Sequence, residues 1–249
     1  MTDQCEGAIS PPVSEPELLK QTSSSKPKES LSSSLPISQQ SSSLGRFISF
    51  EGTEGVGKTT AISSLCERLE EAGIDYIRTR EPGGSDFAEQ LRALLLNPQT
   101  SIHDDTELLL MFAARCDHLH ERILPALAAN KWVICDRFID STVAYQGFGR
   151  AHGDPKVLDK INQLIAGFVP RLPDTTIWLD LPVYEGMRRA GKRSQADRFE
   201  QEALDFFTRV HQGFVHQATE HPNRILQIDA SGNSEEVALR IWQSLSVDL

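Results

Sequence analysis

The chain has no uninterrupted apolar run near the ~20 residues that a membrane-spanning helix needs, so a helical membrane protein is not expected. It also has no C-x-x-C pair. Its four cysteines, Cys5, Cys66, Cys116 and Cys135, are scattered over 249 residues. Such usage fits buried thiols in a reducing compartment, not a disulfide framework. Basic charge is in deficit: 25 Lys and Arg stand against 35 Asp and Glu, a net charge of −10. A nucleic-acid partner calls for a basic face and is not expected. A small phosphorylated ligand, which needs only a local cluster of cations, is not excluded. The expectation is a soluble, cytoplasmic protein with neither a membrane nor a nucleic acid as partner.

Residues 1–44 lack more. They contain no aromatic residue and no arginine, and their composition is dominated by serine runs at 23–25, 32–34 and 41–43 with scattered prolines. Such a stretch cannot offset the entropy of ordering and is expected to be disordered. No apolar segment marks a secretory signal. The acids Asp3, Glu6, Glu15, Glu17 and Glu29, with no arginine, argue against an organelle transit peptide. The folded domain is therefore expected over 45–249.

That part opens on Gly52–Thr60, GTEGVGKTT, which has the form G-x-x-x-x-G-K-[ST]. An apolar run (Phe47, Ile48, Phe50) precedes it and an amphipathic stretch follows, the strand-loop-helix setting that separates a P-loop from a glycine-rich turn. Gly52, Gly55 and Gly57 let successive backbone N–H groups converge on phosphate oxygens. The following helix adds its N-terminal N–H groups and positive dipole end. Lys58 carries charge to the phosphates, and Thr59 offers a hydroxyl to Mg²⁺. A nucleoside triphosphate is the expected ligand.

From Gly45 onward, β-like runs alternate with helical ones. Strands are expected at 46–51, 75–80, 132–136, 175–181 and 225–228. Helices are expected near 58–72, 86–96, 105–129, 155–167, 183–190, 197–219 and 234–246. Five short strands with helical crossovers predict an α/β fold: a three-layer α/β/α arrangement on a five-stranded parallel sheet. Such sheets bind ligands beyond the carboxyl ends of their strands. Those ends carry the P-loop, Arg80-Glu81-Pro82-Gly83-Gly84, and Asp136-Arg137.

Asp136 ends an apolar strand, where a P-loop protein places a carboxylate near Mg²⁺; a turn cap is the plainer alternative. Arg115 interrupts the apolar face formed by Leu108, Phe112, Leu119, Ile123 and Leu127. A cation there is costly unless paired or near a ligand. The segment from Ser141 to Arg150, STVAYQGFGR, concentrates hydroxyls, an amide and a phenol suited to reading a base edge; a polar surface helix is the competing view. Arg188, Arg189, Lys192, Arg193 and Arg198 gather around a loop near 188–198, either a solvated basic face or a closing lid over phosphates. The cluster Cys116, Asp117, His118, His120 and Glu121 pairs only at i,i+4 and lacks a second such pair, so zinc is not expected. A GTPase would need N-K-x-D, and the nearest match, Asn130-Lys131-Trp132-Val133, lacks the acid.

FEGTEGVGKTT, TREPGG (Thr79–Gly84), the Phe112–Arg115 turn, Asp136-Arg137-Phe138 and STVAYQGFGR together resemble bacterial thymidylate kinase, over Gly45 to the C-terminus and in that family's order. The resemblance implies a P-loop nucleoside monophosphate kinase fold, transfer of the ATP γ-phosphate to dTMP giving dTDP and ADP, Mg²⁺, and a homodimer packed through helices. It implies ATP binding by Gly52, Thr53, Glu54, Gly55, Val56, Gly57, Lys58, Thr59 and Thr60, with Lys58, Arg137 and the lid residue Arg193 as catalytic cations. Mg²⁺ would meet Thr59, Asp136 and Glu54. The monophosphate site would draw on Glu54, Arg80, Glu81, Pro82, Arg92 and Arg137, with Ser141 beside them. Arg115 and Gln146 would hydrogen-bond the thymine edge beside Thr142, and Tyr145 would crowd the 2′ position. An acidic P-loop residue with an arginine-rich lid resembles the branch in which lid arginines neutralise the transferred phosphate. One departure is Met111, where an aromatic ring often stands: either Phe112 stacks on the base or Met111 covers it.

Overall fold

The computed structural model describes residues 45–99, 101–191 and 200–246. Residues 1–44, with the expectation of disorder, lie outside them, as do Lys192, Arg193 and Arg198 of the expected lid.

Five strands form one parallel sheet in the order β2-β3-β1-β4-β5: β1 (Phe47–Glu51), β2 (Tyr76–Arg80), β3 (Trp132–Asp136), β4 (Thr175–Asp180) and β5 (Ile225–Asp229). β1 is central and buried along its whole length. Side chains alternate across a pleated strand, and β1 uses both faces. Ile48 and Phe50 join Ile134 and Ile177 under α1 (Lys58–Glu71) and α9 (Ser234–Ser246), which supply Ile62, Leu65, Leu69, Ile241 and Leu245. Phe47, with Val133 and Cys135, faces the other way. There it meets Leu108 and Phe112 of α3 (Asp104–His118) and Ile161 of α6 (Pro155–Phe168). Helices on both faces of a parallel sheet give the three layers expected from the sequence. No helix among the described residues is long and apolar enough to cross a membrane.

The remaining helices are α2 (Asp86–Leu96), α4 (Leu124–Ala128), α5 (Ile139–Thr142), α7 (Val183–Gly191) and α8 (Glu200–Glu220). The single helix expected over 105–129 is helical throughout, but a wide π-turn at Leu119–Ile123 separates α3 from α4. The expected helices leave out 139–150, yet α5 continues into π-helical turns over Val143–Arg150. This segment is not a surface helix: Val143, Ala144, Gln146, Gly147 and Gly149 are buried. Its seat is α8. Ala144 packs in one cluster with Val210, Phe214 and Trp178. Two glycines permit the approach, since a Cβ on Gly213 would lie 2.7 Å from the Ala144 Cα and one on Gly149 2.7 Å from the Phe206 ring.

Candidate active site

The carboxyl ends of β1, β2 and β3 meet at one rim, and main-chain bonds fasten them there. Arg137 N–H donates to the Phe50 carbonyl at 2.9 Å, and Glu81 N–H to the Asp136 carbonyl at 2.9 Å. In the loop after β1, Gly52, Gly55 and Gly57 have φ of 140°, 76° and 98°, a region that favours glycine. Gly55 has a second reason to lack a side chain: a Cβ would lie 2.0 Å from the Gly186 carbonyl of α7. The P-loop is thus pressed against the helix that leads toward 188–198. Lys58 and Thr59 open α1, with Thr59 exposed.

Two cations converge beside this loop. Lys58 Nζ donates to the Gly52 carbonyl at 3.1 Å and the Thr53 carbonyl at 3.3 Å. Arg137 Nη1 donates to the same Gly52 carbonyl at 3.0 Å. Burial lowers Lys58 to a pKa of about 8, so charge brought by a phosphate would stabilise its protonated form. Arg137 adopts φ 68°, a strained conformation for a non-glycine residue. Three groups hold it there: Glu54 accepts from Nη2 at 2.9 Å, Ser141 from Nη1 at 3.1 Å, and the Tyr145 ring lies 4.8 Å beneath the guanidinium. Burial would raise the Glu54 carboxyl, but Arg137 and Lys58 outweigh it and hold the pKa below the usual range. Tyr145 also donates to Glu54 at 3.3 Å.

Behind this charged end lies a cleft of about 380 Å³, whose wall includes Glu54, Arg92, Met111, Arg115, Arg137 and Gln146. Arg115 is 3 % exposed yet well supported. Its Nε donates to Glu81 at 2.7 Å and its Nη2 to Thr142 Oγ1 at 2.9 Å, while the guanidinium lies 5.0 Å from the Phe112 ring and 5.2 Å from Phe138. Its remaining nitrogen, Nη1, is buried with no hydrogen-bond partner. Gln146 is in a parallel position: Nε2 donates to Glu107 at 2.9 Å, and Oε1 is buried with no partner. A buried polar atom left unpaired is costly. One unpartnered donor and one unpartnered acceptor thus belong to two residues of the same cleft wall, a pairing that a ligand's polar edge could satisfy.

Glu81 and Pro82 line the cleft, and Glu81 serves there as the anchor of Arg115 and of His118, whose Nδ1 is 3.0 Å away. Arg92 lines the cleft too, donating to the Pro82 carbonyl at 2.6 Å. Ser141, Thr142 and Tyr145 share the wall. Arg80 is turned away from it, exposed, with its guanidinium on Glu89 at 2.9 Å. Of the alternatives left open, Met111 is on the cleft wall, whereas Phe112 is turned into the core beneath Arg115. Val56 is buried in the core under α1, and Thr60 is exposed on α1. Leu95, Leu96 and Glu107, which sequence reasoning passed over, also line the cleft, as do Phe138 and Arg150, which it named only within longer motifs. Glu107 and Arg150 carried no spacing signal, because the pair they form, 2.9 Å apart, joins segments distant in sequence.

A further buried group lies under the rim. Glu51 accepts from Phe138 N–H at 2.7 Å and from Ser141 Oγ at 2.5 Å. Burial and the nearby Asp140 push its pKa up to about 8. Asp140 itself is held by Arg224 through two bonds of 2.7 and 2.8 Å. As for a metal, Asp136 Oδ1 is buried without a partner, and Thr59 presents a hydroxyl on the same rim. These hard oxygens suit Mg²⁺, which takes one or two protein ligands and otherwise keeps water and phosphate oxygens. No group of three or more His, Cys, Asp or Glu among the described residues could hold a metal by itself.

The family model for thymidylate kinase matches residues 50–241. A thymidylate kinase of Psychrobacter sp. (strain PRwf-1) is 72% identical over 207 residues, covering 83% of this chain and 100% of that relative. One from Acinetobacter baumannii (strain SDF) is 48% identical over 202 residues, covering 80% of this chain and 100% of the relative. Among solved structures, the thymidylate kinase from Ehrlichia chaffeensis superposes with a TM-score of 0.66 at 34% identity, covering 81% of this chain and 98% of that one. The fold, the P-loop and these matches show that the chain belongs to the thymidylate kinase family of phosphotransferases.

Proposed function

We propose that the chain transfers the γ-phosphoryl group of ATP to dTMP, giving ADP and dTDP, with the transfer taking place between Lys58 and Arg137. The observation that carries this is the shared acceptor: Lys58 and Arg137 both donate to the Gly52 carbonyl. The P-loop cation and the cation at the mouth of the cleft therefore stand at one place, where two phosphates would meet.

The acceptor is already a phosphate anion, so no general base is required. The obstacle is repulsion between two anions, and positioned cations lower it. Lys58 and the loop N–H groups hold the donor phosphates, and Arg137 holds the acceptor phosphate. When either phosphate arrives, the Gly52 carbonyl is released as partner. Glu54 keeps Arg137 oriented. Mg²⁺, when bound near Thr59 and Asp136, would neutralise charge on the donor phosphates; Glu54, already committed to Arg137 and Tyr145, would act on it only indirectly. We also assign Arg193 to the transferred phosphate as a lid residue. At the far end, the free Arg115 Nη1 suits the 4-carbonyl of thymine and the free Gln146 Oε1 suits the N3–H. Met111 covers the base, and Tyr145 crowds the 2′ position of a ribose.

We further assign a homodimer packed through α2, α3 and α6, a cytoplasmic setting, and residues 1–44 as an appended segment. The Psychrobacter relative is matched over 100% of its length by 207 residues here, which supports a kinase complete without that segment; deleting 1–44 leaves kcat within about twofold if so.

A panel of monophosphates with Mg-ATP, read as ADP release, tests the reading. dTMP is expected first. dUMP, which lacks one methyl group, should follow by roughly 10- to 200-fold. dCMP, which offers an acceptor where the site already has one, should come last. A protein that releases no ADP with dTMP would refute the proposal.

A further inference from the structure

We propose that Glu107 is a positioning residue that fixes which end of the Gln146 amide faces the base, and thereby selects bases carrying a proton on N3. The inference rests on the reading of the cleft as a thymidylate site. An ionised carboxylate only accepts hydrogen bonds. Glu107 Oε1 lies 2.9 Å from the Gln146 amide nitrogen, so the NH₂ end must face Glu107, which leaves the carbonyl end of this cleft-lining residue for a ligand. Turning the amide over would set two acceptors against each other. The orphaned Oε1 is the consequence.

Glu107 is itself held. Its other oxygen, Oε2, is 2.9 Å from Arg150 Nη2, and its side chain is 15 % exposed. Arg150 thus holds the Glu107 side chain in place from the side away from Gln146. The chain of contacts runs Arg150, Glu107, Gln146, base, each step leaving one orientation for the next. Arg115, on the wall of the same cleft, supplies the donor in its unpartnered Nη1. One donor and one acceptor on one wall complement the O4 and N3–H edge of thymine or uracil. Cytosine presents the reverse pattern, an acceptor at N3 and a donor at N4.

Glu107 also lies in the first turn of α3 with Asp104 and Asp105, where acids favour the helix N-terminus. That role alone would move stability and leave base choice untouched. Glu107→Gln separates the two. The replacement matches in size, but its own amide can turn and accept or donate, so the lock is lost. The assay is the ratio of kcat/KM for dTMP over dCMP, alongside the KM for ATP and the melting temperature. Expected is a fall of about tenfold in the ratio, carried mainly by KM for dTMP, with ATP KM unchanged. Arg150→Gln should move the ratio the same way by less, and serves if the first variant folds poorly. A ratio unchanged in both variants, while Gln146→Leu collapses it, overturns the role of Glu107 and leaves the thymidylate reading intact. A wild-type protein with no preference for dTMP overturns that reading, and this inference with it.

Discussion

Glu51 ends the central strand with its carboxyl wholly buried and bonded to Phe138 N–H and Ser141, both of which follow the strained Arg137. At this scale the sequence was legible where a residue type was out of place. Arg115 announced itself by interrupting an apolar helix face, and the structure supplies its partner in Glu81. Glu51 gave no such sign, because a strand-end acid reads as solvent-facing until the loop after β3 is folded over it. Its burial has a consequence for pH. The folded carboxyl holds its proton to about pH 8, against an ordinary glutamate value of 4.5. Between those values the unfolded chain has lost the proton and the folded chain has not, so the folded state binds more protons and stability falls as pH rises. The slope approaches about 1.4 kcal/mol per pH unit for a single proton. Glu51→Gln cannot ionise and keeps an acceptor for Phe138. Urea melts at pH 5, 6, 7 and 8 should show its advantage over wild type growing across that window. Parallel curves for the two proteins would show that Glu51 does not hold its proton in the fold.

Five strands and seven helical stretches were readable, since amphipathic period and turn residues speak locally. The helix over 139–150 was not, and the reason is physical. Gly147 and Gly149 read as loop, and their helical turns are set by packing: Gly147 against Leu158 of α6, Gly149 against Phe206 of α8, and Gly213 of α8 against Ala144. Tertiary packing, not propensity, makes most of a helix's stability. The same contact would set the proposed base-reading edge, because Tyr145 and Gln146 follow Ala144 directly and Tyr145 leans on Phe206 and Phe214 of α8. Gly213→Ala puts a methyl group 2.7 Å from the Ala144 Cα, against backbone. Overpacking of this kind costs about 1–3 kcal/mol. The expected outcome is a lower melting temperature together with a KM for dTMP raised about tenfold or more, while KM for ATP changes little. A variant that melts early with wild-type KM for dTMP would show that α8 stabilises this segment without aligning it.

At the scale of the whole molecule, α3 is apolar on two sides. Leu108 and Phe112 enter the core, whereas Leu109 and Cys116 line a groove of about 470 Å³ with Phe87 of α2 and Leu164 and Phe168 of α6. Phe87, Leu109 and Phe168 are 51%, 58% and 53% exposed. Periodicity named the apolar residues of α3 but not which side would be left uncovered, because only the assembled layers decide that. Large apolar side chains gathered on one face of a soluble monomer are uncommon, and two chains of net charge −10 repel unless apolar area is buried between them. A twofold pairing of this face would cover these residues and clamp α3, which carries Met111 and Arg115. Replacing Leu109 and Phe168 together by Asp puts four unpaired charges into such an interface. Light scattering behind size exclusion should then give one chain mass for the variant and two for the wild type at micromolar concentration. Because α3 loses its clamp, KM for dTMP should rise in the monomer while the melting temperature becomes independent of protein concentration. A wild type already monomeric at micromolar concentration, or a double variant that still pairs, would remove this face from the assembly and leave the apolar groove without an occupant.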